Sequence, residues 1–162
     1  MGRVHKFPYT IIRPSNCYTR GQQLHRIIPR AIIAALSGNK LPLHGGGVAK
    51  KSYLSADDLS RAVLKSLAFE QDTFNCGPDS PVSIRHVVEL CVVACGKTFE
   101  DVVDLAPERQ GQDSMYWIDS SKLKSHGWSQ QTSLEDGIAD MVKWVRDNPE
   151  ILTMSTDWEI KP

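Results

Sequence analysis

Four stretches of the chain carry side chains suited to hold a doubly charged phosphate linker. Arg13-Pro14-Ser15-Asn16 closes a short apolar run, Lys50 and Lys51 follow three glycines, Asn75 ends a second short strand, and Arg109 sits in a polar loop. A diphosphate is bound by cationic and amide donors converging from separate loops, because each contact is a charge-assisted hydrogen bond at a pocket rim. Ligands of open α/β sheets gather at the carboxyl ends of strands, which is where Asn16 and Asn75 fall. Singly, each of these residues also reads as an ordinary solvated surface residue, so the signal lies in the set.

Other constellations point elsewhere. His5, His25, His44, His86 and His126 show no paired spacing and read as structural or exposed. Cys17, Cys76, Cys91 and Cys95 lack metal-ligand partners at the required spacing and read as reduced core thiols, which points to the cytoplasm. The run His44-Gly-Gly-Gly-Val48 lacks the Lys-Ser/Thr and the helix of a P-loop, and no G-x-S-x-G nucleophile accompanies it, so it reads as a turn. Asp57 and Asp58 read as first-turn helix residues favoured by the dipole. Trp117, Trp128, Trp144 and Trp158 read as packing residues. Lys+Arg and Asp+Glu balance at 19 each, leaving no basic excess to draw nucleic acid or an anionic membrane. No apolar run approaches the ~20 residues of a membrane span, and the first ten residues lack the apolar core of a secretory signal.

The elements that must position the donors follow from periodicity. Tyr9 to Arg13 reads as a strand closed by Pro14 and suited to burial on both faces, as in the middle of a parallel sheet. From Leu24, apolar positions recur through Ile27, Ile28, Ala31, Ile32, Ala35 and Leu36, a helix stopped by Gly38 in which Pro29 marks a kink or a late start. Ser55 with Asp58 opens a second helix expected to bury Leu59, Ala62, Val63 and Leu67. Ser83 caps a third, with Ile84, Val87, Val88, Cys91 and Cys95 inward and Gly96 at its end. The stretch from Glu100 to Ala106 reads as β-like, and Asp119 or Ser120 starts a short helix ended by Gly127. Ser133 with Asp136 opens a last helix burying Leu134, Ile138, Met141, Val142 and Val145. Helices and strands alternate without a regular βα rhythm, which gives α+β or the tail of a larger α/β protein. At 162 residues, one domain with a real core is expected.

Taken in order, IIRPSNCY, RIIPRAIIAALSGNKLPLHGGG, SYLSADDLSRAV, FNCG, PERQGQDSMYWIDSSKLKSHGW and SLEDGIADMVKWVRDNPE resemble the C-terminal half of the extended short-chain dehydrogenase/reductase family. Within it they are most similar to the NAD-dependent sugar-nucleotide epimerases and dehydratases, such as the dTDP-glucose 4,6-dehydratases. The resemblance implies an α/β fold, α+β when isolated. Residues 1–162 would then be a single domain, the substrate-binding C-terminal portion of an extended Rossmann-type enzyme. That portion would include one or two strands of a parallel sheet whose Rossmann NAD-binding part is absent.

Carried over residue by residue, the resemblance implies that Asn16 donates to the nucleotide diphosphate. Arg26 stands near the nucleotide where the family has a lysine, and Leu43 and His44 belong to the wall around the base. Lys51 takes the place of a phosphate-binding arginine, keeping the charge and losing the bidentate fork. Asn75 makes a further polar contact, and Arg109 is a second phosphate-binding arginine. Gln112 replaces a histidine common in the dTDP-glucose enzymes, and Cys17, Thr19 and Arg20 replace the usual Asn, Gly and Pro.

Two family motifs have no counterpart. A glycine-rich GxxGxxG lets backbone amides approach the dinucleotide pyrophosphate, and none occurs here. A Tyr-x-x-x-Lys pair supplies a tyrosine base at neutral pH. Here Tyr9 is followed four residues on by Arg13, Tyr18 by Gln22, Tyr53 by Asp57, and Tyr116 by Ser120. Complete relatives oxidise the sugar at C4 with NAD, then eliminate water or invert a centre, and return the hydride, as lyases or isomerases. The expectation is a nucleotide-sugar-binding portion without catalytic residues, metal ligands or turnover of its own, with NAD used by the complete family enzyme and not bound by this chain alone. A second reading is a non-catalytic nucleotide-binding or complementing subunit docked on a separate Rossmann half, with homo-oligomers formed through an exposed strand edge. A third is a fragment without present function. No nucleic-acid or membrane partner is expected.

Overall fold

The computed structural model describes residues 7–109, 111 and 113–157, so Gln112 and Trp158 lie outside the described residues, as does His5. Strand β1 (Thr10–Pro14) leads through Ser15 into β2 (Asn16–Tyr18), and Arg26 precedes helix α1 (Ile27–Ser37). Pro29 is the third helical residue, where the missing N–H has no intrahelical partner to lose. It marks a late start, not a kink. Gly38 ends the helix with a φ of 73°.

Strand β3 (Leu41–His44) runs into a 3₁₀ turn at Gly45–Gly47, followed by β4 (Lys50–Lys51) and β5 (Tyr53–Ser55). The turn needs glycine: Gly47 has a φ of 70°, and a Cβ there would stand 2.7 Å from the backbone nitrogen of Arg85. Helix α2 (Ala56–Ser66) starts from Ser55, whose Oγ accepts the Asp58 N–H at 3.1 Å. After β6 (Asp72–Cys76) and β7 (Val82–Ser83), Ser83 caps α3 (Ile84–Ala94) by accepting the His86 N–H. The stretch expected to be β-like is divided, with α4 (Phe99–Val102) preceding β8 (Val103–Ala106). Thr98 caps α4 by accepting the Asp101 N–H, a local cap that overrides the β-branched run. Strand β9 (Met115–Tyr116), α5 (Ser121–Ser125), α6 (Leu134–Asp147), capped by Ser133, and a 3₁₀ turn at Pro149–Thr153 complete the order among the described residues.

Among the described residues the strands form three parallel pairs, β1 with β6, β2 with β5 and β3 with β8, and one mixed sheet in the order β7-β4-β9. The first two pairs meet at a fork. The Ser15 N–H donates to Cys76 O at 2.9 Å, and the next N–H, that of Asn16, donates to Ser52 O at 3.2 Å. One chain therefore changes partner between two adjacent residues, and Asn16 stands at the split.

Helices α1, α3 and α6 enclose the larger core, with Ile28, Ile32, Val88, Val92, Met141 and Val145 almost wholly buried. Tyr18 enters it beside Gly137, where a Cβ would come within 2.1 Å of the phenol oxygen; only glycine permits that approach. A smaller core, Leu54, Ala62, Phe74, Cys76, Leu123 and Trp128, lies between α2, β6 and α5.

Three expectations are corrected. β1 is not buried on both faces, because Ile11 is 43% exposed and Arg13 is open. Helix α2 buries Ala62 and half-buries Leu59, but Val63 and Leu67 are 43% and 73% exposed. Cys76, Cys91 and Cys95 are core thiols, whereas Cys17 is exposed because Tyr18, its neighbour on a two-residue repeat, takes the core side. Among the described residues no helix is long and apolar enough to cross a membrane.

Candidate functional site

A cavity of about 800 Å³ opens between the start of α1 and the strands β2, β4 and β5. Asn16, Arg26 and Lys51 all line it. Asn16 reaches the wall because the fork turns β2 away from β6. Its Nδ2 donates to Ser52 O at 3.1 Å, the carbonyl that also accepts its backbone N–H. The asparagine thus staples β2 to the β4–β5 segment, and an amide NH₂ has a second hydrogen to offer.

Arg26 is exposed and occupies the N-cap position of α1. The Arg26 side chain makes no capping hydrogen bond, and the first turn holds no carboxylate, whereas α2 and α6 each carry a serine cap and two acidic residues there. Ile27 and Ile28, the first two helical residues, also line the cavity. Their N–H groups belong to the four that a helix start leaves without intrahelical partners, and the positive end of the dipole lies there. This feature was missed from the sequence; its signal is a helix start without Ser, Asp or Glu.

Lys51 is half-buried on β4, directly opposite Tyr116 of β9, and its ammonium lies 6.0 Å from that ring's centroid. Cys17 lines the same wall.

Past His25, Ile27 and Ile84 the cavity adjoins a narrower cleft of about 180 Å³, lined by Leu43, His44 and Arg109. His44 does more than form a wall. Its Nδ1–H donates to Pro107 O at 2.9 Å, the carbonyl accepting, and so ties the end of β3 to the loop that carries Arg109. Arg30 and His25 line this cleft too and were missed, because lone basic residues in a helical pattern carry no motif.

Six of the seven sequence-derived site residues therefore lie on two adjoining hollows. Asn75 does not. On β6 the neighbours Phe74 and Cys76 take the buried face, so Asn75 points to the opposite side, next to Arg13 in the β1–β6 register. The glycine run also differs from a dinucleotide cradle. It follows β3, closes a 3₁₀ turn and leads to strand β4, so no helix N-terminus stands behind it for a pyrophosphate. Among the described residues no group of three or more His, Cys, Asp or Glu could hold a metal.

The GDP-mannose 4,6 dehydratase family model matches residues 2–141. The chain belongs to that family, within the NAD-dependent sugar epimerases and dehydratases. A trifunctional UDP-glucose 4,6-dehydratase/UDP-4-keto-6-deoxy-D-glucose 3,5-epimerase/UDP-4-keto-L-rhamnose-reductase of Arabidopsis thaliana is 32% identical over 154 residues, covering 92% of this chain and 23% of the plant protein. Among solved structures, dTDP-glucose 4,6-dehydratase of Bacillus anthracis, in complex with NAD, superposes with a TM-score of 0.83 at 28% identity, covering 92% of this chain and 48% of that one. The UDP-glucose 4-epimerase of Thermotoga maritima, with UDP-glucose, gives 0.83 at 25% identity, covering 91% and 49%. The parallel strand pairs of this dehydratase-family chain thus match the extended Rossmann-type fold over about half the length of the solved enzymes.

Proposed function

We propose that this chain binds a nucleotide sugar through its diphosphate, as the C-terminal, sugar-nucleotide-binding portion of a 4,6-dehydratase or epimerase. The observation that carries this reading is the convergence of Asn16, Arg26 and Lys51, from three separate segments, on one cavity at the uncapped start of α1. Two cations, an amide donor and a helix N-terminus make a set that favours a polyanion. The adjoining cleft with Leu43, His44 and Arg109 has the apolar wall and the cation suited to a base and its proximal phosphate. Hydride chemistry would require an NAD-binding Rossmann part outside residues 1–162, because these residues contain neither GxxGxxG nor Tyr-x-x-x-Lys.

Calorimetric titration with dTDP-, UDP-, GDP- and CDP-glucose tests this. One or more should bind, and Lys51→Ala should weaken the tightest by about 1.5–3 kcal/mol, the loss of one charge-assisted contact. Added NAD should give no turnover of the sugar. Absence of binding by all four, or unchanged affinity in the variant, would refute the assignment.

A second reading, a complementing subunit that docks on a separate Rossmann half, draws on a different observation. Ile11, Val63, Leu64 and Leu67 leave apolar surface exposed around β1 and α2, and among the described residues β1 and β6 form a two-stranded sheet. Parallel strands are ordinarily covered on both faces. Self-association through the same surface is the competing outcome, separable by sedimentation with and without a Rossmann half of a related enzyme.

A further inference from the structure

The mixed sheet sets one more residue beside the cavity. Lys51 and Tyr116 are partners in the parallel β4–β9 register. That register is fixed by backbone bonds on either side: the Lys50 N–H donates to Ser114 O at 2.9 Å and the Ser52 N–H to Tyr116 O at 3.2 Å. Ser52 Oγ also donates to Tyr116 O, at 3.4 Å, while the following residue is anchored outward by Trp117 Nε1–H donating to Pro78 O at 3.2 Å. Ser52 O is in turn the acceptor for both Asn16 donors. Tyr116, Ser52 and Asn16 are thus linked in one chain of bonds, and side chains opposite one another in a sheet share a face.

Lys51 forms no ion pair among the described residues, and its ammonium faces the Tyr116 ring at 6.0 Å. A lysine has four rotatable bonds and loses rotamer freedom when its charge is held in one place. A carboxylate neighbour would hold it and cancel the charge. An aromatic face attracts the cation through its quadrupole and leaves the full charge for an incoming anion.

Resting on the nucleotide-sugar reading, we infer that Tyr116 is a positioning residue for the diphosphate site: its ring holds the Lys51 ammonium at the cavity wall while leaving the charge uncompensated. The hydroxyl has no part in this, so phenylalanine should replace tyrosine without loss.

Two measurements test it. In the ligand-free protein, the Lys51 Hε resonances should be shifted upfield by the ring in wild type and Tyr116→Phe, and should return to ordinary values in Tyr116→Leu. In titrations with UDP-glucose and dTDP-glucose, Tyr116→Phe should bind like wild type and Tyr116→Leu about two- to fivefold more weakly. In a Lys51→Ala background, Tyr116→Leu should have no further effect. The inference is overturned if Lys51 shows no ring shift, if the phenylalanine variant loses as much as leucine, or if the loss persists without Lys51. Wild type failing to bind UDP-, dTDP-, GDP- and CDP-glucose alike while the ring shift is present would instead sink the nucleotide-sugar reading, and the positioning role with it.

Discussion

The core enclosed by α1, α3 and α6 and the smaller one between α2, β6 and α5 are made of similar residues and finish differently. In the first, the helices turn their apolar stripes inward apart from Val93 of α3, which is 70% exposed, and the packing is close enough that Gly137 has no room for a Cβ beside Tyr18. In the second, Phe74, Cys76 and Leu123 are wholly buried, yet the outer flank of α2 leaves Leu64 and Leu67 about 70% exposed. The first region has the surface of a finished core. The second leaves several large apolar side chains of α2 and β1 open to solvent, Ile11, Val63, Leu64 and Leu67.

The largest expected difference comes from cutting into the two regions alike. Ile32→Ala, at a fully buried site of α1, should cost about 2–5 kcal/mol in urea denaturation. Leu67→Ser, at the exposed C-cap of α2, should stay within about 0.5 kcal/mol of wild type. Equal losses would erase the contrast between the regions.

The next effect concerns the link between them. Asp58, on α2 and fully buried, accepts from the backbone N–H groups of Gln131 and Thr132, from Arg61 and from Ser55, and so ties α2 to the segment leading into α6. Burial works against its ionisation, but these donors outweigh it and hold the carboxyl below the ordinary carboxylate range. A lowered carboxyl pKa contributes stability that is present above the unfolded value of about 4 and lost as pH falls through the folded value. Asp58→Ala should therefore cost about 2–4 kcal/mol at pH 7, by leaving two backbone donors unpaired. Its deficit relative to wild type should shrink below pH 4. A deficit independent of pH would show that packing, not charge, is lost.

The smallest effect on stability should have the clearest effect on association. Leu64→Ser with Leu67→Ser should leave the urea midpoint nearly unchanged and lower any self-association seen by sedimentation. Unchanged association would place the contact elsewhere.

The sequence made local features legible and left partner-dependent ones obscure. Caps at Ser55, Ser83 and Ser133 each satisfy an N–H three residues on, a requirement met within four residues of chain. The interior stripes of α1, α3 and α6 follow from periodicity for the same reason. Helix α2 shows the limit: a period of 3.6 identifies an apolar face without saying what covers it, so Val63 and Leu67 read as core and are exposed. At the site, Asn16 was legible because the chain breaks there from strand to loop. Asn75 was read the same way, but it does not line the cavity; the two-residue alternation of β6 sets it on the face opposite Phe74 and Cys76. The bare start of α1, Arg30 and His25 were illegible because each becomes informative only when the chain folds them onto one hollow.

The most direct test of the central claim is to map backbone amide shifts by NMR while adding UDP-glucose or dTDP-glucose. The largest changes should fall on Asn16, Ile27, Ile28 and Lys51, with smaller ones at His44 and Arg109 and none at Asn75. Changes centred on Asn75 and Arg13, with the start of α1 silent, would contradict the account.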